Sequence, residues 1–196
     1  VTAPLRQYQT FFRTVATDAV QGPSAATYLA RVEGKRRVAV VSDGKTYGEG
    51  IAEEFAKQLA TQGGEVVARL TAVPGTPRDE TVAAVAASRP DAVFYGGEYP
   101  EGGPLSAALA DGGVTVPLMG GDGIVNPGYV AAGGREGDLG TSIGPPPETV
   151  PAARGFVDAY RRAGYAESFG SYGASTFDAA NVLVDSVVRT LGEDSA

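Results

Sequence analysis

Few residues in this chain have the type and spacing that chemistry needs. Ser42 and Lys45 stand at the S-x-x-K spacing at which a lysine amine can activate a serine hydroxyl. Gly140-Thr-Ser-Ile-Gly144 has the outline of a nucleophile elbow, and Gly44-Lys-Thr46 matches the tail of a phosphate-binding loop. Each lacks a part. The serine–lysine pair needs a helix N-terminus to aim both side chains one way, whereas Asp43-Gly44 is a turn sequence after a strand. The elbow needs a histidine base, and the chain has no histidine. The phosphate loop needs a glycine where Ala39 lies inside an apolar run. Asp122, in Met119-Gly-Gly-Asp-Gly123, is a carboxylate directly after a strand. It could serve as a general base, a metal ligand or a receptor for a cation, or simply close an Asx-turn on its own backbone. Tyr47, Tyr99 and Tyr172 each follow a turn. A phenol suits a ligand wall because its face is apolar and its hydroxyl can stay wet, although half-buried packing accounts for any one of them. Three such rings and one carboxylate at one sheet edge make a candidate binding site.

Composition excludes whole classes of function. With no histidine and no cysteine there is no Ser-His-Asp triad, no Cys-His pair and no zinc site of the usual nitrogen and sulfur ligands, so no metal and no cofactor is expected. Asp and Glu outnumber Lys and Arg 23 to 16, a net charge of −7, which leaves no basic stripe to displace counterions from nucleic acid. No apolar run is long enough to span a bilayer, and VTAPLRQYQT has no signal-peptide pattern, so no direct membrane insertion by this segment is expected.

The elements that must hold these residues follow from hydrophobic patterning. Short β-branched runs at Arg37–Ser42, Val66–Val73, Asp91–Tyr95 and Val116–Gly120, with a weaker one at Gly137–Ile143, predict buried parallel strands. Between them, Gly48–Gln62, Asp79–Ala87, Glu101–Ala110 and Val150–Ala163 have helical periodicity, as do Ala16–Arg31 before the first strand and Ser171–Leu191 at the end, with Gly192 as its stop. Alternating strand and helix predicts an α/β fold, a doubly wound parallel sheet with helices on both faces. Ligands of such sheets bind beyond the carboxyl ends of the strands, here the glycine-rich loops 43–50, 96–103, 120–127 and 144–148. The last helix has no strand after it, as if the chain had been cut.

The runs Ser42-Asp-Gly-Lys-Thr-Tyr-Gly-Glu-Gly50, Phe94-Tyr-Gly-Gly-Glu-Tyr-Pro-Glu101 and Pro117-Leu-Met-Gly-Gly-Asp-Gly123 resemble the second lobe of the leucine/isoleucine/valine-binding proteins, the solute receptors of ABC importers. Phe12-Arg-Thr14, Asp18, Gln21-Gly22 and Tyr172-Gly-Ala-Ser-Thr-Phe-Asp-Ala-Ala180 fit the same pattern. The resemblance implies one lobe of a type I periplasmic-binding-protein clamshell: 1–15 a remnant of the first lobe and hinge, 16–170 the second lobe, 171–196 a helix returning toward the first. It implies no enzyme activity but binding of a branched-chain or related amino acid, with Tyr47, Tyr99 and Tyr172 around the ligand and Asp122 receiving its ammonium group. It also implies an ABC permease as membrane partner and an exported, periplasmic or cell-surface location. Two departures stand out. Asp122 is a methylene shorter than the family's usual Glu, and Glu98 occupies a position where an aromatic is frequent. Two other readings remain open at this point: a ligand-sensing ectodomain of a signalling receptor, and an α/β enzyme using Asp122 with Lys45 or a metal.

Overall fold

The computed structural model describes residues 10–75 and 77–193. In chain order the elements are α1 (Asp18–Arg31), β1 (Arg37–Ser42), α2 (Thr46–Thr61), β2 (Glu65–Thr71), α3 (Asp79–Ser88), β3 (Ala92–Gly96), α4 (Tyr99–Asp111), β4 (Leu118–Gly120), α5 (Gly128–Ala131), β5 (Leu139–Gly140), α6 (Arg154–Ala163) and α7 (Gly173–Glu193). The five strands form one parallel sheet in the order β2-β1-β3-β4-β5. The predicted doubly wound α/β fold is therefore the observed one.

The two faces are built by alternation along the strands. Val38 and Val40 of β1 and Ala92 and Phe94 of β3 point to the side covered by α1 and α2, where Leu29, Ile51, Phe55 and Leu59 complete a core. The Phe55 and Phe94 rings stack 3.9 Å apart there. Ala39, Val41, Val93 and Tyr95 point the other way, against Val85, Leu105, Leu109 and Tyr129 from α3, α4 and α5. Gly22 of α1 touches α2 directly, since a Cβ there would lie 2.9 Å from both the Ile51 carbonyl oxygen and the Phe55 amide nitrogen.

Where helices return to strands, at the amino ends of the sheet, the chain turns through positive-φ residues: Gly34 (68°), Gly63 (71°), Arg89 (47°) and Gly113 (82°). Arg89 is the one non-glycine residue in that conformation among the described residues, and it caps α3. A left-handed residue with a Cβ costs roughly 1–2 kcal/mol. Arg89→Gly is expected to stabilise the protein by about 0.5–1 kcal/mol after the entropy of the more flexible unfolded chain is offset, read as a higher midpoint in urea denaturation.

Contacts gather the chain into two compact units. Among the described residues one is Thr17–Ser142 and the other is residues 10–16 with 143–193. Residues 143–170, which the resemblance assigns to the second lobe, group by contacts with α7 in the second unit; residues 1–9 of the expected 1–15 remnant lie outside the described residues. The second unit is held by an aromatic cluster in which the Phe156 ring lies 5.2 Å from Phe169 and 5.3 Å from Phe177. Thr14 donates to the Ser175 carbonyl at 3.1 Å. Along α7, Val182, Leu183, Val184, Val187, Val188 and Leu191 are exposed. Several element boundaries depart from expectation, β5 among them, which is only Leu139–Gly140. Gly192 does not stop α7, which runs to Glu193, and helix α6 begins at Arg154, because two short 3-10 turns at Pro147–Thr149 and Pro151–Ala153 precede it. β4 is only three residues long.

Candidate functional site

The order of the sheet makes β1 and β3 neighbours whose crossovers run to opposite sides, so a crevice opens beyond their carboxyl ends. Three loops meet there. Asp43 directly follows β1, its N–H donating to the Gly96 carbonyl at 2.9 Å, and its Oδ1 accepts from the Lys45 N–H at 3.0 Å. That Asx-turn, with Gly44 at φ 74°, launches α2 and brings Tyr47 into its first turn. The loops after β3 and β4 touch, since a Cβ on Gly123 would stand 2.5 Å from the Gly97 carbonyl oxygen and 3.1 Å from Tyr47 Cε1. Only bare backbone fits between them.

Tyr47 and Asp122, 75 residues apart in sequence, are joined directly. The half-buried Tyr47 hydroxyl donates to Asp122 Oδ1 at 3.0 Å and accepts from the Gly123 N–H at 3.3 Å. Burial, followed by the Asp122 charge, pushes the Tyr47 phenol well above its ordinary range, which keeps it a proton donor at any physiological pH. Asp122 itself is buried and opens a 3-10 turn, Asp122–Ile124. Tyr99 begins α4, its ring edge against Gly128: a Cβ there would be 2.6 Å from Tyr99 Cε2. Tyr172 lies in the other compact unit, just before α7, and is 49% exposed. The structure thus gathers Tyr47, Asp122 and Tyr99 at one sheet edge, while Tyr172 belongs to a separate body.

Negative charge is concentrated at this edge. Glu98 sits at the N-cap of α4 without making a side-chain cap hydrogen bond. Its carboxyl is raised, first by partial burial and then by the Asp122 charge, with Lys45 opposing and Asp43 adding to the rise. A carboxyl whose folded value is raised holds its proton more tightly folded than unfolded, so it withdraws stability as pH climbs through its titration. Glu98→Gln is therefore expected to raise the melting temperature at pH 7 and leave it nearly unchanged near pH 3, a comparison made by calorimetry at the two pH values.

The motifs that suggested nucleophilic chemistry are occupied otherwise. The Ser42 hydroxyl donates to Glu49, and Lys45 faces Asp43, so no serine–lysine pair exists. Thr141 and Ser142 of the elbow-like run continue from β5, and the Thr141 N–H bonds the Gly120 carbonyl at 3.0 Å. Among the described residues no group of three Asp or Glu could hold a metal ion, and no helix is long and apolar enough to cross a membrane. The residue the sequence reading passed over is Asp43, taken as a turn former only. Its place directly after the buried strand β1 was the available signal.

A family model described as periplasmic binding protein matches residues 1–196. The chain belongs to the periplasmic binding protein family. An amino acid binding protein of Pseudomonas aeruginosa is 32% identical over 162 residues, 79% of this chain and 42% of its own. The leucine-specific-binding protein of Salmonella typhimurium is 30% identical over 189 residues, 94% of this chain and 50% of its own. Among solved structures, the leucine binding protein LivK of Thermotoga maritima superposes with a TM-score of 0.81 at 28% identity, over 90% of this chain and 51% of that one. This periplasmic binding protein chain spans about half the length of the relatives it matches.

Proposed function

We propose that this chain supplies one ligand-binding lobe of an extracytoplasmic solute receptor that delivers a branched-chain or related amino acid to an ABC permease. The observation that carries the reading is the Tyr47–Asp122 pair at the switch point of the sheet, in a chain similar throughout to amino-acid receptors. A zwitterionic ligand needs an anion for its ammonium, donors for its carboxylate and an apolar wall for its side chain. Asp122 is the anion, through charge-assisted hydrogen bonds worth about 1.5–3 kcal/mol each. Tyr47 and Tyr99 form wall, where burial of a leucine-sized side chain contributes roughly 1.5–3 kcal/mol.

Residues 17–142 are the lobe proper on this reading, and α7 leads to the other lobe with Tyr172 at its start. The exposed apolar residues of α7 support a further body packing there, since a helix carrying that much uncovered apolar surface is unusual in a finished monomer. On this reading the donors for the ligand's carboxylate come from the first lobe, and the closed state is favoured only when both lobes engage the ligand. Residues 1–196 by themselves therefore bind amino acids weakly.

The test is a thermal-shift panel of the common amino acids on the full two-lobed protein. Leucine, isoleucine or valine should raise the melting temperature in a concentration-dependent way, by mass action on the native state. A flat response across the panel overturns the reading.

A further inference from the structure

Two polar atoms deep at the carboxyl edge find no hydrogen-bond partner among the described residues: Asp43 Oδ2 and the Tyr95 hydroxyl. Both residues are only 1% exposed. Lys45 Nζ stands 3.9 Å from Asp43 Oδ2, near enough to pair in charge but beyond hydrogen-bond reach. Buried groups of this kind are rarely left unsatisfied, because each forfeits its hydration without return.

Gly97 relates the two. A Cβ on Gly97 would lie 2.4 Å from the Tyr95 hydroxyl oxygen and 3.0 Å from Asp43 Cγ, so both groups converge on one point at the start of the β3–α4 loop. The Tyr95 hydroxyl oxygen therefore lies no more than 5.4 Å from Asp43 Cγ, a spacing at which one water can join the two groups through hydrogen bonds of ~2.8 Å. Gly97 has no positive φ, so its conformation does not call for glycine; the crowding by Tyr95 and Asp43 does. The donor set suits water better than a metal ion, since a phenol and one carboxylate make too few hard ligands and no cluster of three exists among the described residues.

We propose that Tyr95 and Asp43 hold one internal water, and that this Tyr95–water–Asp43 strut is a positioning device for the ligand edge. Asp43 already bonds the start of α2 through Lys45 and the end of β3 through Gly96. The water ties that junction to the core hydroxyl of Tyr95 beneath Gly97. It thereby fixes the loop carrying Glu98 and Tyr99 against the turn carrying Tyr47. Neither Asp43 nor Tyr95 touches ligand; both act through the residues they hold. The effect on ligand rests on the receptor reading above, whereas the water and its effect on stability do not.

The two accounts of Tyr95 predict opposite signs. If the hydroxyl is an orphan, Tyr95→Phe removes a buried unsatisfied group and stabilises the protein. If it holds the water, the substitution leaves Asp43 Oδ2 uncompensated and lowers the melting temperature by roughly 2–4 °C. The experiment is a crystal structure of the full-length protein near 1.5 Å resolution on the scale needed for ordered water, with calorimetry of Tyr95→Phe, Asp43→Ala and Asp43→Asn, and dissociation kinetics of L-leucine. The expected result is a water within hydrogen-bond distance of both side chains. Tyr95→Phe should weaken leucine about two- to tenfold, chiefly through faster dissociation. Asp43→Asn, which keeps an oxygen for the turn and a group for the water, should retain most of the affinity that Asp43→Ala loses. A melting temperature unchanged or raised by Tyr95→Phe overturns the proposal, as does a direct Tyr95–Asp43 hydrogen bond with no water. If wild-type protein binds no leucine, the receptor reading fails, while the structure and the Tyr95→Phe melting temperature still decide the strut.

Discussion

On the proposed function, Asp122→Ala is expected to weaken leucine binding by the full-length protein about 30- to 5,000-fold, from the 2–5 kcal/mol that truncating one partner of a buried charge pair costs. Three features make the effect large. Asp122 is 93% removed from solvent by its 7% exposure, so its charge acts with little screening. Its Oδ1 is already oriented by the Tyr47 hydroxyl, and Tyr47 is itself oriented by the Gly123 N–H. No reorganisation is then needed when an ammonium arrives. Asp122→Asn should fall between wild type and alanine, since the amide keeps an acceptor and loses the charge. Folding should change less than at Asp138, since Tyr47 keeps its bond from the Gly123 N–H when Asp122 is removed. Isothermal titration with L-leucine, alongside urea denaturation of the same variants, checks both halves. Wild-type affinity in Asp122→Ala would sink the assignment of the ammonium site to this residue.

The largest effect on stability is expected at Asp138, far from any ligand. Its carboxylate accepts from the Tyr129 hydroxyl at 2.7 Å, the Arg135 N–H at 3.0 Å, the Leu118 N–H at 3.0 Å and the Ser106 hydroxyl, at a side chain 3% exposed. Arg135, 3.6 Å from Asp138 Oδ1, spends its other donors on Ser106 Oγ and on the carbonyls of Val114 and Val116. One carboxylate thus ties β4, α4, α5 and the approach to β5 into a network with every oxygen engaged. Asp138→Ala orphans a buried phenol, two backbone N–H groups, the Ser106 hydroxyl and part of a guanidinium at once, and should cost about 3–5 kcal/mol. Measured by urea denaturation, the midpoint should drop far more than for Asp122→Ala. A loss below about 0.5 kcal/mol, the scale of a surface change, would show that the network relaxes onto water.

The difference between these two residues also shows what the sequence could reveal. Strands β1 and β3 were legible because their continuous apolar stretches, Val38–Val41 and Ala92–Phe94, face a core on both sides. Their crossover helices were legible from fourfold spacing such as Ile51, Phe55 and Leu59, all of which proved fully buried. β4 was drawn too long, at Val116–Gly120, because nothing local shows that the Leu118 N–H goes to Asp138. The start of α6 was drawn too early because the prolines at 147 and 151 favour short 3-10 turns that share the apolar spacing of a helix. Within the candidate site, Asp122 and Tyr47 could be named singly from their loops, but the bond between them joins the ends of β1 and β4 across β3 and 75 residues of sequence. Asp43 was hidden by its own turn chemistry, since Asp-Gly explains itself without a burial argument.

The glycine turns at the amino ends of the strands bear on how this protein could be turned into a sensor. Gly34, Gly63 and Gly113 have open space where a side chain would begin, and they lie at the end of the sheet opposite the carboxyl edge. The chain contains no cysteine, so a single engineered thiol would be the sole attachment point for a dye. Positions beside these turns, such as Lys35 or Gln62, can carry a fluorophore or an inserted reporter domain without entering the loops that hold Tyr47, Glu98 and Asp122. The fold separates the end that can be decorated from the end that must stay bare.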